Sequence, residues 1–323
     1  MSAAVETMAY AGETPWHGLG KKVSDALTPD EMLKEAGLDW EVRRVPLVLE
    51  GTNAKIDSHF ALERSSDKSI LGICGKDWQP TQNKQAFSFF REFTEAGHMK
   101  METAGSLLEG RQTWDLAAIK KSFALKGKDE VGGYLLLSNP HIWGKRILAA
   151  FTTVRVVCNN TLTMAVNGAK GNSTFKMTHT NVFDEAMQEK ATVAMGMASK
   201  KFDEFQEAAE LLATTRINDD QLCDFLKETF HPTIQYVTLN DEKVVDLLGR
   251  TAQRVREAIE TQPGADLESS KGTYWGALNA VTYLTDHKLG RTQDNRLASA
   301  WFGTNANLKA RAFETAIEHA KAA

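Results

Sequence analysis

The spacing of the hydrophobic residues changes near residues 171–181, and this change constrains the fold more than any other feature of the sequence. Before it, apolar residues occur in short, nearly alternating runs, which are typical of β-strands. After it, from Phe183 to Leu212, they recur every three to five positions, which is typical of a long amphipathic helix. The sequence therefore predicts an α+β chain: a mixed α/β domain with an N-terminal wrapping loop over residues 1–178, and a helical domain over residues 179–323.

The first domain is predicted to be an antiparallel β-meander with covering helices. Thr28, followed by Pro29 and two acids, predicts the start of a short helix. Extended runs from Trp40 to Ile73 predict the meander, and regularly spaced phenylalanines predict one helix over residues 81–97 that covers it. Further strands are predicted over residues 99–107, 113–119, 133–137 and 147–158; the last is rich in β-branched residues and is expected to be central.

The second domain is predicted to be helical throughout. His231-Pro232 and Pro263-Gly264 end two of its segments, since proline and glycine end helices. The predicted helices cover residues 181–212, 219–230, 241–260, 274–286 and a last segment from about residue 295 to the C-terminus.

Composition excludes several classes of protein. The chain is 42% hydrophobic, which argues against disorder, and it has neither a signal-peptide pattern nor an apolar run of about 18 residues. Cys74, Cys158 and Cys223 share no close spacing, and no two of the eight histidines are four positions apart, so we predict no disulfide framework, metal site or cofactor. A soluble, cytoplasmic protein is expected, with no membrane partner.

The charge is unevenly distributed along the chain. Its formal net charge is -4, yet residues 111–180 contain ten basic and three acidic residues, which gives +7 there and -11 elsewhere. Basic loops interleaved with aromatic rings are typical of a groove that binds phosphates and stacks bases. The alternative is a basic surface that pairs with acidic helices of the same or a neighbouring subunit. The candidate phosphate contacts are Arg111, Lys120, Lys121, Lys126, Lys128, Lys145, Arg146 and Arg155, and the candidate stacking rings are Trp114, Phe123 and Trp143.

No motif specifies catalysis. Residues 105–113 have the two glycines of a phosphate-binding loop, but Arg111 replaces its lysine and the following run is a predicted strand, so we reject nucleotide hydrolysis. Cys158 follows the strongest predicted strand, where it is either a nucleophile or, more commonly, a buried structural thiol. Trp16-His17 is better explained as structural, because a lone histidine in a glycine-rich loop usually is. Asp286-His287 is also better explained as structural, because adjacent helical side chains do not face each other.

Five segments carry a resemblance to a known family: AYAGETPWHGLG at 9–20, TAGSL at 103–107 with Gly110-Arg111, FTTVRVVCNNTL at 151–162, residues 275–287, and AWFG at 300–303. They resemble a family borne by phages and plasmids that is labelled only as a domain of unknown function. This setting implies DNA replication, recombination or counter-defence. In outline, the expected fold is also similar to phage single-strand annealing proteins, which act as rings or filaments.

Three functional hypotheses remain. The first is a non-enzymatic, homo-oligomeric DNA-binding protein of a phage or plasmid, with single-strand annealing as its specific form and single-stranded DNA as its partner. The second is a self-assembling structural or interaction protein that does not bind nucleic acid. The third is a hydrolase or transferase that uses Cys158.

Overall fold

β-Strands are the main secondary structure of the first half of the chain, as the spacing of its hydrophobic residues predicts. A computed structural model of the protein describes residues 5–12, 20–155, 157, 160–163, 174–179, 185–230, 241–290 and 293–323. The strands within these residues are β1 (Val5–Tyr10), β2 (Lys21–Lys22), β3 (Val42–Val48), β4 (Lys55–Arg64), β5 (Ile70–Gly75), β6 (Met99–Leu107), β7 (Gln112–Leu125), β8 (Asp129–Pro140), β9 (Arg146–Arg155), β10 (Asn160–Thr163) and β11 (Thr174–Thr178).

Helices form most of the second half. The helices within the described residues are α1 (Pro29–Glu35), α2 (Asn83–Ser88), α3 (Arg91–Glu95), α4 (Glu185–Thr214), α5 (Asp219–Phe230), α6 (Asp241–Thr261), α7 (Tyr274–Tyr283), α8 (Gln293–Phe302) and α9 (Thr304–Ala322). A π-helical turn, Leu284–Lys288, continues α7. The last predicted helix is divided into α8 and α9, because Gly303 has an extended backbone (φ -120°, ψ -152°). This order of elements confirms the predicted α+β class.

The strand with the strongest sequence signal, β9, lies in a large sheet. Its strands lie in the order β10-β9-β8-β7-β6-β1-β2, and β11 also pairs with β9. The pairings of β1 with β6, β6 with β7, and β9 with β10 and β11 are antiparallel, whereas β1 and β2 are parallel. Because β9 has neighbours on both sides, the prediction of a central strand is confirmed.

The hairpin between β6 and β7 confirms the rejection of a phosphate-binding loop. Leu108, Glu109 and Gly110 have positive φ values of 55°, 60° and 81° and form a tight turn. Gly105 lies in β6, where a Cβ atom would come within 2.5 Å of the carbonyl oxygen of Thr7 on β1. The glycine is therefore needed for strand packing, and β7 rather than a helix follows the turn.

The predicted meander is a separate sheet in the order β3-β4-β5. Both of its pairings are antiparallel, with Val45 opposite Ala61 and Ala61 opposite Ile73. The helix predicted to cover it as one piece is broken into α2 and α3. Phe89 and Phe90 lie in the turn between them and are 2% and 0% exposed. Adjacent residues of a straight helix point about 100° apart, so the break allows both rings to be buried.

Local signals correctly predict α1. The Thr28 hydroxyl accepts a hydrogen bond from the Glu31 backbone N–H (3.3 Å), and the Glu31 carboxylate accepts one from the Thr28 N–H (2.8 Å). The hydrogen bonds that the carboxylate accepts from the Thr28 N–H and from the Thr28 hydroxyl (2.7 Å) lower the pKa of Glu31. The buried face of α1 carries Met32 and Leu33, which join the main hydrophobic core with Leu38.

The chain forms two compact units that are not continuous in sequence. The first contains residues 1–120, 134–151 and 171–198, and the second contains residues 121–133, 152–170 and 199–323. Strands β7, β8 and β9 each contribute residues to both units, so the chain passes between them several times. The domain boundary after residue 178 stays a prediction.

The core of the second unit is aromatic. The Phe205 ring lies 6.0 Å from Phe123, 6.2 Å from Trp275 and 5.4 Å from Phe313, measured between ring centroids. Beside this cluster, the buried carboxylate of Asp129 accepts hydrogen bonds from the Ser269 hydroxyl (2.6 Å) and from the indole N–H of Trp275 (2.9 Å). The turn between β7 and β8 is thereby attached to the start of α7.

Candidate nucleic-acid interface

Four predicted nucleic-acid-binding residues lie on or next to two turns of the first unit that contact each other through the backbone. The backbone N–H of His141 donates to the carbonyl oxygen of Arg111 (2.7 Å), so the β8–β9 turn lies against the β6–β7 turn. Trp143, Lys145 and Arg146 follow within five residues of His141. We call Arg111, Trp143, Lys145 and Arg146 the hairpin patch.

Trp143 is the exposed aromatic ring of the hairpin patch. Its side chain is 55% exposed. One side of the ring meets His59 in an edge contact, with centroids 5.5 Å apart and an interplanar angle of 79°. Gly75 lies beneath it, where a Cβ atom would be 3.3 Å from the indole. The ring is therefore supported by β4 and β5 while more than half of its surface stays open for stacking.

Two of the three basic residues of the hairpin patch have charges that can contact a ligand. Lys145 and Arg146 are exposed, and within the described residues neither has an ion pair or a side-chain hydrogen bond. Arg111 donates from Nε to the carbonyl of Leu108 (2.9 Å) and lies 4.0 Å from the Glu109 carboxylate. The charges of Lys145 and Arg146, which follow the exposed indole by two and three positions in the sequence, are suited to contact phosphate groups.

A buried polar network fixes the base of the β8–β9 turn. His141 is 0% exposed and its Nε2 lies 2.9 Å from Oδ1 of Asn83. The Asn83 amide nitrogen donates to the carbonyl of Leu38 (3.0 Å), and Thr113 donates to Asn83 Oδ1 (3.1 Å). Asn139, two residues before His141, donates to the carbonyl of Thr81 (3.0 Å). This network connects α2, β7 and the end of β8, so it holds the hairpin patch on a rigid base.

His141 and the nearby His179 are both held in the neutral form. Burial, with a smaller contribution from the neighbouring His179, lowers the pKa of His141 to about 3. Burial also lowers the pKa of His179 to about 4, against a smaller opposing effect of the Gln79 and Pro140 backbone. His141 Nε2 therefore carries the proton that it donates to Asn83, and its Nδ1 has no hydrogen-bond partner among the described residues.

Two other rings predicted to stack bases are buried, so this prediction is wrong for them. Trp114 is 1% exposed, and Thr113 beside it is also 1% exposed, so both faces of β7 are covered at this point. Phe123 is 8% exposed and packs against Phe202 and Phe205 in the second unit, with centroids 5.3 Å and 6.0 Å away. Neither ring has a face that a base can reach.

Two predicted phosphate contacts are already paired with acidic helices or loops of the same chain. The Lys121 ammonium lies 2.9 Å from the carboxylate of Asp203 on α4. Lys126 lies 3.8 Å from the carboxylate of Glu268. These pairs are partly exposed, and such pairs contribute little to stability. The positive charge of each lysine is nevertheless already paired with a carboxylate. The alternative explanation of the basic segment therefore applies to these two lysines.

The remaining predicted contacts are separate from the hairpin patch. Lys120 is exposed on β7 in the first unit, and Lys128 is exposed on the β7–β8 turn in the second unit. The backbone of Arg155 ends β9, but its side chain lies outside the described residues. The described residues also exclude Cys158, the Trp16-His17 pair and most of the predicted wrapping loop. The roles predicted for these residues remain predictions.

A buried ion pair in the second unit was missed by the sequence analysis. The Lys309 ammonium donates to Asp286 Oδ1 (2.6 Å), to the carbonyl of Thr161 (2.7 Å) and to the Thr161 hydroxyl (2.9 Å). The Thr161 backbone N–H donates to Asp286 Oδ2 (2.6 Å). Both charged side chains are 0% exposed, and burial lowers the pKa of Lys309 against the opposing effect of Asp286. Because all three ammonium hydrogens have acceptors, the group connects β10 to two helical segments rather than forming a binding site.

The sequence contains a signal for this ion pair. Lys309 lies three positions from Ala306 and Ala312 and seven from Ala316, all of which are buried. A lysine at such a position on the apolar face of a helix requires a buried partner. The sequence pairs Asp286 only with its neighbour His287, whose side chain contacts the Tyr283 ring instead.

A family match supports the resemblance noted in the sequence. Residues 70–301 match the model of a family described as a domain of unknown function (DUF932), which is more than two thirds of the chain. The chain belongs to this family. The DUF932 segment includes the whole hairpin patch and Asp286, whereas Lys309 lies beyond it. No curated protein and no solved structure matches the chain.

Two other features are absent from the described part of the chain. No three His, Cys, Asp or Glu side chains are grouped there so that they could hold a metal ion. None of its helices combines the length and the apolar character required to cross a membrane.

Proposed function

We propose that this protein binds single-stranded DNA through the hairpin patch and does not catalyse a reaction on it. The observation that carries the proposal is the 55% exposed Trp143, which is followed in the sequence by Lys145 and Arg146, both exposed and unpaired within the described residues. Proteins that bind single strands without sequence preference combine aromatic rings that stack bases with basic groups that neutralise the backbone. An open indole favours single strands, because the faces of the bases in a duplex are already stacked.

The rigidity of the hairpin patch supports this proposal. Trp143 is supported by His59 and Gly75, and the turn that carries it is fixed through His141 and Asn83. A ring that is already oriented loses little conformational entropy when a base stacks on it. We further propose that the DNA-bound form is a homo-oligomer in a phage or plasmid system, with annealing of complementary strands as its role. The resemblance to phage- and plasmid-borne proteins supports that setting.

Trp143→Ala is expected to weaken the binding of single-stranded DNA roughly tenfold to a hundredfold. Stacking of one base on an aromatic ring contributes about 1 to 3 kcal/mol. Trp143→Phe should keep most of the affinity, because it keeps an aromatic face. The measurement is the fluorescence anisotropy of a labelled oligothymidylate at low salt.

Lys121→Ala is the matched control, since the ammonium of Lys121 is already paired with Asp203. It should bind nearly as tightly as the wild type, and circular dichroism should show that all variants are folded. Absence of binding at micromolar protein would contradict the proposal. So would a Trp143→Ala variant with the affinity of the wild type.

A self-assembling protein that does not bind nucleic acid is the second candidate. It is favoured by exposed apolar residues on β5, an edge of the three-stranded sheet in the described part of the chain. Ile70 is 58% exposed and Ile73 is 51% exposed. Exposed edge strands with apolar side chains are prone to pair with another copy. Light scattering with and without an oligonucleotide separates the candidates, because this one predicts oligomers that do not depend on DNA.

A further inference from the structure

A cleft in the second unit has no part in the proposed DNA binding. Its volume is about 310 Å³, and it lies where the start of α5, the end of α6 and the residues around the start of α7 meet. Its apolar lining includes three partly buried side chains, Ile217, Leu222 and Ile259, and the buried Ala277. This volume is at the small end of the range for ligand pockets, so it suits one small molecule rather than a polymer.

One guanidinium group on the wall of the cleft lacks an acidic partner. Arg256 on α6 is partly buried, and it donates from Nη2 to Sγ of Cys223 (3.0 Å). A thiol is a weak acceptor. Within the described residues Arg256 has no ion pair, although Glu260, four positions further along α6, is well placed in sequence to provide one. A half-buried arginine in this state is suited to a ligand carboxylate, which it can bind through two parallel hydrogen bonds.

Two carboxylates line the same cleft and are also unpaired. Asp219, at the start of α5, and Glu260 are exposed, and neither has an ion pair or a hydrogen bond to its side chain within the part of the chain that the structure describes. The cleft therefore combines one positive group, two negative groups and an apolar lining. A ligand with a single charge would pair either with the positive group of the cleft or with its negative groups, but not with both.

We propose that this cleft binds a small zwitterion with an apolar body, such as an α-amino acid with an aliphatic or aromatic side chain. Arg256 binds the carboxylate, Asp219 and Glu260 bind the ammonium group, and the side chain contacts Ile217, Leu222 and Ile259. This site is separate from the hairpin patch, so its test is independent of DNA binding.

The test measures the binding of L-leucine and L-phenylalanine to the full-length chain by isothermal titration calorimetry. At least one of them should bind at millimolar concentration or below. 3-Phenylpropionate, which lacks the amine, and L-phenylalanine amide, which lacks the carboxylate, should each bind about tenfold more weakly than L-phenylalanine, because each loses one charged hydrogen-bonding group.

Substitutions on α6 provide matched controls. Arg256→Met and Glu260→Gln should each weaken binding about tenfold. Arg254→Met and Glu257→Gln, exposed positions on the same helix that do not line the cleft, should bind like the wild type. If Arg256→Met does not fold, Glu260→Gln, at an exposed position, still tests whether Glu260 binds the ammonium group of the ligand. The proposal is overturned if neither amino acid binds, if 3-phenylpropionate binds as tightly as L-phenylalanine, or if Glu260→Gln binds like the wild type.

Discussion

Lys309→Met is expected to destabilise the protein by about 3 to 5 kcal/mol. The substitution removes the ammonium group that lies 2.6 Å from Asp286 and leaves a carboxylate that is 0% exposed without its charge partner. Removing one member of a buried ion pair has this effect because the remaining charge stays buried and uncompensated. The free energy of unfolding in urea at neutral pH measures the effect.

Two further variants separate the role of the charge from the general effect of changing α9. Lys321→Met, at an exposed position of the same helix, should stay within about 0.5 kcal/mol of the wild type. Asp286→Asn combined with Lys309→Met should be more stable than Lys309→Met alone, since no uncompensated carboxylate remains. A single Lys309→Met variant with wild-type stability would show that the ion pair does not hold β10 against the helices.

Acidification is expected to destabilise the wild type more than a His141→Gln variant. Burial lowers the pKa of His141 from its ordinary value of 6.5 to about 3. A group whose pKa is lower in the folded protein stabilises the fold above its unfolded pKa, and this contribution is lost as the pH falls toward the folded pKa. The loss is about 1.4 kcal/mol per pH unit below 6.5, or about 2 kcal/mol at pH 5.

Glutamine retains a donor for Asn83 but does not titrate, so the difference between the two unfolding curves isolates His141. Urea unfolding at a series of pH values from 7.5 to about 5 gives this difference. The other buried groups, including Asp115 with its raised pKa, contribute equally to both proteins and cancel. His98→Gln, at an exposed histidine, is the control for replacing a histidine outside the core. Parallel curves for the wild type and His141→Gln would contradict the neutral, buried state of His141.

Local signals predicted much of the fold. The capping residue Thr28, the β-branched run of β9 and the periodicity of α4 each act over a few residues, so the sequence alone places these elements. The break at Phe89 and Phe90 was not predictable from periodicity, because it depends on whether both rings find space in the core. Helix propensity is a weak signal when burial of large side chains competes with it.

Tertiary packing decided which of the predicted binding residues are accessible. Trp114 and Trp143 are both aromatic residues in the basic segment, yet they are 1% and 55% exposed. Trp114 lies within a strand that is covered on both faces, whereas Trp143 lies on a turn. The charge count likewise could not show that Lys121 is paired with Asp203, 82 positions later in the sequence, while Lys145 has no acidic partner in the described residues.

The dependence of DNA affinity on salt tests the proposed interface most directly. The logarithm of the association constant for an oligothymidylate is plotted against the logarithm of the salt concentration for the wild type and for the Lys145→Ala/Arg146→Ala variant. Each phosphate contact to a single strand contributes about 0.7 to the slope, so the variant should show a slope smaller by about 1.4, and Lys121→Ala/Lys126→Ala should not. Equal slopes for the wild type and the Lys145→Ala/Arg146→Ala variant would contradict the hairpin patch as the DNA-binding surface.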